Sequence, residues 1–256
     1  MNCISAMSDT APVSAPVFAP VSALTSYFWS NDAIRSRNVS DVVLTGTVDI
    51  PAPPARLIAD WEREISLHLQ LEPGDVETLP LASARMRWPE YTHCVLAVSD
   101  WTRRLGLKDV LTESSVALMA CRGAKYHHDG EHYGGAAFCN LFLSEDRGLD
   151  LHFPSTGHRI PLVRGTVVIF DTCHPHAVIQ RHSGGFDVAD FPPEKDCTQI
   201  FLTWELPIEK VDVARKFQID FDVDLSTAMT LNEEQVWLNG ARGKVCSASG
   251  RWCLAD

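Results

Sequence analysis

Two stretches decide how this chain reads: Lys125-Tyr-His-His-Asp-Gly130 and Arg164-Gly-Thr-Val-Val-Ile-Phe-Asp-Thr-Cys-His-Pro-His-Ala-Val178. In the first, His127 and Asp129 follow a β-prone run and stand two residues apart. On extended backbone, residues i and i+2 project to the same side, so an imidazole and a carboxylate can reach one metal ion together. In the second, a glycine turn, an apolar strand and another turn lead to His176, which opens the β run Ala177-Val-Ile179. Two imidazoles and one carboxylate on one face of a metal leave coordination positions open, the arrangement of non-haem Fe(II) oxygenases, whereas a structural zinc site closes its shell. The expected metal ligands and catalytic residues are therefore His127, Asp129 and His176. His174 shares the parity of His176 but lies in the turn before Pro175, which makes His176 the preferred third ligand. His128 is expected to point away from the other two ligands as a surface or supporting residue.

Around these stretches, from Ser115 onward, short β runs alternate with Gly, Pro and Asp turns: Ser115 to Cys121, Ala136 to Leu143, Leu149 to Phe153, Thr166 to Phe170, His176 to Gln180 and Cys197 to Leu206. Short strands at close spacing predict a sandwich or barrel. The segment from Ser183 to Asp196, with Gly184-Gly185 and Pro192-Pro193, predicts a long loop able to cover a site. Upstream, Leu57, Trp61, Ile65 and Leu69 recur every four residues, which predicts an amphipathic helix from Pro53 to Leu71 ended by Pro73-Gly74. A second helix is expected from Thr92 to Leu105, closed by Gly106. After Pro207 the pattern suggests a strand at Phe217 to Val223 and a helix at Asn232 to Leu238. Repeated Ala-Pro-Val and Pro-Val-Ser fragments between Ala11 and Ser22 are low in complexity. The expected organisation is a disordered segment over 1–23 and one catalytic domain over 24–256. That domain divides into a helical part over 24–114, a β core over 115–206 and an extension over 207–256.

The 256 residues are 45% apolar and 21% charged, the make-up of a globular chain with a sizeable core. A formal charge of −11 argues against a nucleic-acid surface, which needs clustered Lys and Arg. Apolar runs are strand-sized, short of the roughly 18 residues a membrane span requires. The first residues lack the basic start and unbroken apolar stretch of a signal peptide, so cytoplasmic residence is expected, with neither nucleic acid nor membrane as partner. Eight cysteines are scattered without a C-x-x-C pair, which predicts reduced thiols; only Cys246 and Cys253 have spacing compatible with a local bridge.

Taken in order, the motifs resemble the Fe(II)- and 2-oxoglutarate-dependent dioxygenases, especially the prolyl-hydroxylase-like and phytanoyl-hydroxylase-like branches, over residues 115–206. The resemblance rests on Tyr126-His-His-Asp129 as the H-x-D motif, Cys139-Asn-Leu-Phe-Leu143 as the next strand, Gly148-Leu-Asp-Leu-His-Phe153, and Gly165 to Val178 as the distal-histidine segment. It implies a mainly β double-stranded β-helix (a jelly roll, cupin-like) with flanking α-helices. It also implies an Fe(II) cofactor and 2-oxoglutarate as co-substrate. O2 and a small molecule hydroxylated at a C–H bond complete the implied reaction. Asp129 argues against halogenation, because halogenating relatives carry a small residue there. One departure stands out. These enzymes carry a cation for the distal carboxylate of 2-oxoglutarate, six residues before a Trp in the prolyl-hydroxylase-like pattern, and counting back from Trp204 reaches Thr198. The expected co-substrate contacts are therefore Thr198 itself, Asn140 on the strand after H-x-D, and Arg181 as the nearest downstream cation, although alternation turns Arg181 away from the face of His176. Lys125, Arg122 and Arg87 are other donors. Tyr126 and Trp204 are candidates to line a substrate pocket or to pack in the core. Two alternatives stand beside this reading. One is a cupin-type metalloenzyme using His128 and His174 without 2-oxoglutarate, and the other is a non-catalytic β-helix that binds a ligand.

Overall fold

A computed structural model describes residues 23–255; the low-complexity segment assigned above to 1–23 lies outside them except for Ala23. The chain opens with three strands, β1 (Leu24–Ser30), β2 (Ala33–Asn38) and β3 (Val43–Thr47). Helix α1 (Ala55–Glu64) continues into a wider turn over Ile65–Leu69. It buries Leu57 and Trp61, two members of the fourfold repeat. Strand β4 (Val76–Leu79), helix α2 (Leu81–Arg85) and helix α3 (Tyr91–Arg104) follow. Helix α3 ends ahead of Gly106, whose φ of +87° suits a residue without Cβ.

Eight strands then build the centre: β5 (Val116–Cys121), β6 (Ala124–His127), β7 (Ala136–Phe142), β8 (Leu149–Phe153), β9 (His158–Pro161), β10 (Thr166–Asp171), β11 (His176–Gln180) and β12 (Gln199–Pro207). A short helix, α4 (Gly130–Tyr133), interrupts them after β6. They divide between a six-stranded sheet ordered β3-β10-β7-β12-β5-β4 and a four-stranded sheet ordered β6-β11-β8-β9. Every pairing is antiparallel, and the chain changes sheet between consecutive strands except at the β8–β9 hairpin. This is the double-stranded β-helix, with α-helices packed on one side. Helices α5 (Val211–Phe217) and α6 (Leu225–Ala228) and strands β13 (Gln235–Leu238), β14 (Ala241–Val245) and β15 (Trp252–Leu254) complete the chain. The last three join β1 and β2 in a separate five-stranded sheet.

Strand β12 shows how alternation sets the core. Ile200, Leu202, Trp204 and Leu206 pack outward with Trp61, Trp88 and Val98 of the helical layer. Phe201 faces inward among Phe142, Leu151 and Val178. Trp204 is therefore core, and Tyr126, in turn, is hydrogen-bonded to His152 at 2.6 Å. The turn before β10 depends on Gly165, at φ +86°, where a Cβ would collide with the carbonyl of Val48.

The C-terminal region departs from the sequence reading. Residues 217–223 were expected as a strand, but α5 runs to Phe217 and the chain beyond it is irregular, with Phe221 forming only an isolated bridge to Arg37. The helix expected at 232–238 is instead the strand β13, whose Gln235, Val236 and Leu238 are buried against Tyr27, Ser26 and Leu24 of β1. Pairing with a distant strand outweighs local preference here. All seven cysteines described are free, Cys246 and Cys253 included. Among the described residues, no helix is long and apolar enough to cross a membrane.

Candidate metal centre and cavity

His127 ends β6 and His176 begins β11, and the antiparallel register pairs them directly, with ring centroids 4.5 Å apart. Asp129 lies two residues past His127, where its N–H donates to the Thr172 carbonyl at 2.7 Å. Its own carbonyl accepts from His132 and Tyr133 and starts α4. The Asp129 carboxylate thereby stands between the two rings, 3.6 Å from Nε2 of each. One donor atom from each of the three residues lies within 4.8 Å of the others.

The protonation pattern suits a cation. Nδ1 of His127 is 2.7 Å from the Lys125 carbonyl, and Nδ1 of His176 is 2.9 Å from the His174 carbonyl. A carbonyl only accepts, so each Nδ1 carries the proton and each Nε2 presents a lone pair toward Asp129. Burial, with the neighbouring His127 second, pushes the His176 pKa well down and keeps the ring neutral. Burial also raises the Asp129 carboxyl, against the opposing pull of His127 and His132. A half-buried carboxylate flanked by two imidazole nitrogens gains most from a positive charge, and a divalent ion held by all three would supply it. The donor set fits such an ion.

The two rival histidines point elsewhere. His174 places Nε2 2.8 Å from the Ser155 hydroxyl, and burial lowers its pKa to about 4. His128 packs on Trp252 and accepts from the Gly130 N–H, also with its pKa lowered by burial to about 4.

The three donors open onto a cavity of about 290 Å³ inside the β-helix. Farther from the donors its walls are apolar, with Phe142, Leu151, Val178 and Phe201. Midway, Asn140 on β7 faces Thr203 on β12 across one rung of the sheet. Asn140 Oδ1 and Thr203 Oγ1 are buried without a hydrogen-bond partner. Of the expected co-substrate contacts, only Asn140 lines this space. Arg181 is held outside by Asp146 and Asp150, at 2.8 and 2.9 Å. Thr198 precedes β12 on its outward parity and borders a second hollow beside Trp61, Arg147 and Arg164. Among the described residues, no Lys or Arg lines the cavity. Sequence reasoning missed Thr203 and Glu205. Both could have been found from Trp204, because a Trp packed outward turns its two neighbours inward.

Behind the three donors lies a fully buried ion pair. Arg37 of β2 meets both oxygens of Asp171 at 2.7 Å, and both side chains are 0% exposed. Its Nε also donates to the Gly134 carbonyl at 2.9 Å, and a terminal nitrogen reaches Cys173 Sγ at 3.2 Å. Asp171 accepts further from the backbone N–H groups of Ser40 and Cys173. Burial works against the Asp171 charge, yet the charge and hydrogen bonds of Arg37 outweigh it and hold the carboxyl below its ordinary range. One residue outside the β-helix thus ties together the segment after Asp129 and the turn before His176.

No protein-family model matches the chain, and no curated protein matches it. Among solved structures, it is similar to the viral collagen prolyl hydroxylase vCPH from Paramecium Bursaria Chlorella virus-1 in its 2OG complex. That likeness has 12% identity and a TM-score of 0.37 and covers 64% of this chain and 94% of that one. It is also similar to a Pseudomonas putida prolyl-4-hydroxylase, at 17% identity, 66% and 92% coverage and TM-score 0.39. A prolyl 4-hydroxylase from Phytophthora capsici aligns at 17% identity, 62% and 56% coverage and TM-score 0.35.

Proposed function

We propose that this chain is a non-haem Fe(II)- and 2-oxoglutarate-dependent oxygenase that hydroxylates a C–H bond of a small molecule, with residues 24–256 acting as one catalytic domain in the cytoplasm. The observation that carries this reading is the trio His127, Asp129 and His176, three donors gathered within 4.8 Å at the wall of a cavity inside a β-helix. Fe(II) bound there supplies the redox capacity for O2 reduction, with two electrons from 2-oxoglutarate as it becomes succinate and CO2 and two from the substrate C–H bond. The residues supply position. His127 and His176 are held as Nε2 donors by backbone carbonyls, and Asp129 adds the single negative charge. All three would hold the ion from the cavity wall, on which they sit together. The Thr203 hydroxyl and the Asn140 side-chain N–H group can donate neutral hydrogen bonds to the far carboxylate of the co-substrate, and the apolar walls keep water from it. His128 and His174 are engaged elsewhere, which favours the three-donor site over a cupin-type histidine set.

The decisive experiment is anaerobic Fe(II) titration with and without 2-oxoglutarate, followed by the visible charge-transfer absorption of the chelate and by succinate release on admitting O2. His176→Ala should lose both signals, and His174→Ala should keep them. Absence of the band together with no 2-oxoglutarate consumption in the parent protein would overturn the assignment.

A further inference from the structure

Beside the metal centre, the cavity wall carries one more charged side chain, Glu205. Glu205 stands directly opposite Phe138 on the neighbouring strand, two residues beyond the Thr203–Asn140 rung. The Phe138 ring meets Tyr133 at 5.1 Å and Phe170 at 6.1 Å, and Phe170 in turn meets His176 at 4.7 Å. This chain of rings places Glu205 at the metal end of the cavity, where a substrate would approach. Its side chain is half-buried, and among the described residues it has neither an ion pair nor a hydrogen bond. A carboxylate drawn out of water without a counter-charge is unfavourable unless something bound supplies one. Among the described residues nothing in the lining does so, because none of those lining the cavity is a Lys or Arg.

We infer that the substrate of this site carries a cationic nitrogen, an ammonium or guanidinium group, received between the Glu205 carboxylate and the rings of Tyr133 and Phe138. An aromatic face attracts a cation through its quadrupole, and an adjacent carboxylate adds direct charge pairing. The inference rests on the oxygenase reading for the identity of the second ligand, and that reading strengthens it. A divalent ion, the Asp129 carboxylate and dianionic 2-oxoglutarate together leave one excess negative charge, and Glu205 adds another. An anionic substrate would be repelled from such a site and a cationic one drawn to it.

The test uses three probes of one shape, benzylammonium, benzyl alcohol and benzoate, with binding measured by ligand-observed NMR. It is run on the full chain, metal-free and again under anaerobic Fe(II) and 2-oxoglutarate. Benzylammonium should bind about tenfold more tightly than benzyl alcohol, with benzoate weakest. Glu205→Gln should remove the ammonium preference and leave the benzyl alcohol affinity in place. The inference is overturned if the ammonium probe does not bind, if it binds no better than the alcohol, or if its advantage survives in Glu205→Gln. Loss of the Fe(II)/2-oxoglutarate chelate signal with the ammonium preference intact would instead refute the proposed chemistry and leave the cation site standing.

Discussion

The turn from Asp171 to His176 has two polar clusters on its two sides, and they differ in one respect. On the side of the β1–β2 sheet, the Arg37–Asp171 pair is saturated: both carboxylate oxygens are met by guanidinium nitrogens and backbone N–H groups, and no solvent reaches either side chain. On the cavity side, Nε2 of two imidazoles faces the Asp129 carboxylate, and Asn140 and Thr203 leave buried oxygens without a protein partner. A protein interior normally pairs its polar atoms, because an orphan forfeits hydration without replacement. The saturated cluster therefore reads as architecture. The cavity-side cluster reads as a binding site.

Substitutions test this contrast, beginning with the largest expected effect. Asp129→Ala should end turnover and weaken Fe(II) binding by more than about 100-fold, the upper range for losing an outer partner of a metal ligand. It should leave the metal-free fold as stable as before, since burial already disfavours the charge it removes. Anaerobic calorimetry and thermal unfolding measure the two quantities, and a large loss of metal-free stability would place Asp129 with the architecture.

Arg37→Met should destabilise the fold by about 3–5 kcal/mol in urea denaturation, because it strands the buried Asp171 charge. Arg37→Met with Asp171→Leu should recover most of that loss. The pH dependence follows from the depressed Asp171 pKa. Its stabilisation is present above the ordinary carboxyl value, about 3.9, and is lost as pH falls through the lower folded value. The double variant should lack that acid-labile component, and an unchanged acid transition would show that the pair contributes little.

Asn140→Leu with Thr203→Val fills the orphaned rung with apolar atoms of similar shape. About 1–2 kcal/mol of added stability is expected in the metal-free protein, together with a higher 2-oxoglutarate concentration for half-maximal rate. A loss of stability would mean the rung is structural. Arg181→Ala is the smallest change at the site itself; its stability cost comes through the buried Asp150, which keeps Arg159 at 3.5 Å. Its 2-oxoglutarate dependence should stay that of the parent; a raised requirement would bring Arg181 back into the site and call the cation-free cavity into question.

Much of the β-helix was legible because its strands obey period two and are separated by turn residues. The bounds Leu149–Phe153 and His176–Gln180 follow from the pattern to the residue, and the spacing alone marks His127, Asp129 and His176 as a donor set. Local pattern suffices there, since alternation itself decides which side chains share a face. It failed for β13, where pairing with β1 more than 200 positions away decides the conformation. It failed again at Arg181, whose positive charge suggested a co-substrate role until Asp146 and Asp150 were found to claim it. Arg37 is the extreme case. Nothing local distinguishes it from other arginines, and its partner lies 134 positions along the chain. The chain alone determined which residue types could hold a metal and which strands would carry them. Tertiary structure decided which polar groups find partners and which are left facing a cavity, because that outcome depends on contacts between segments that no local pattern relates.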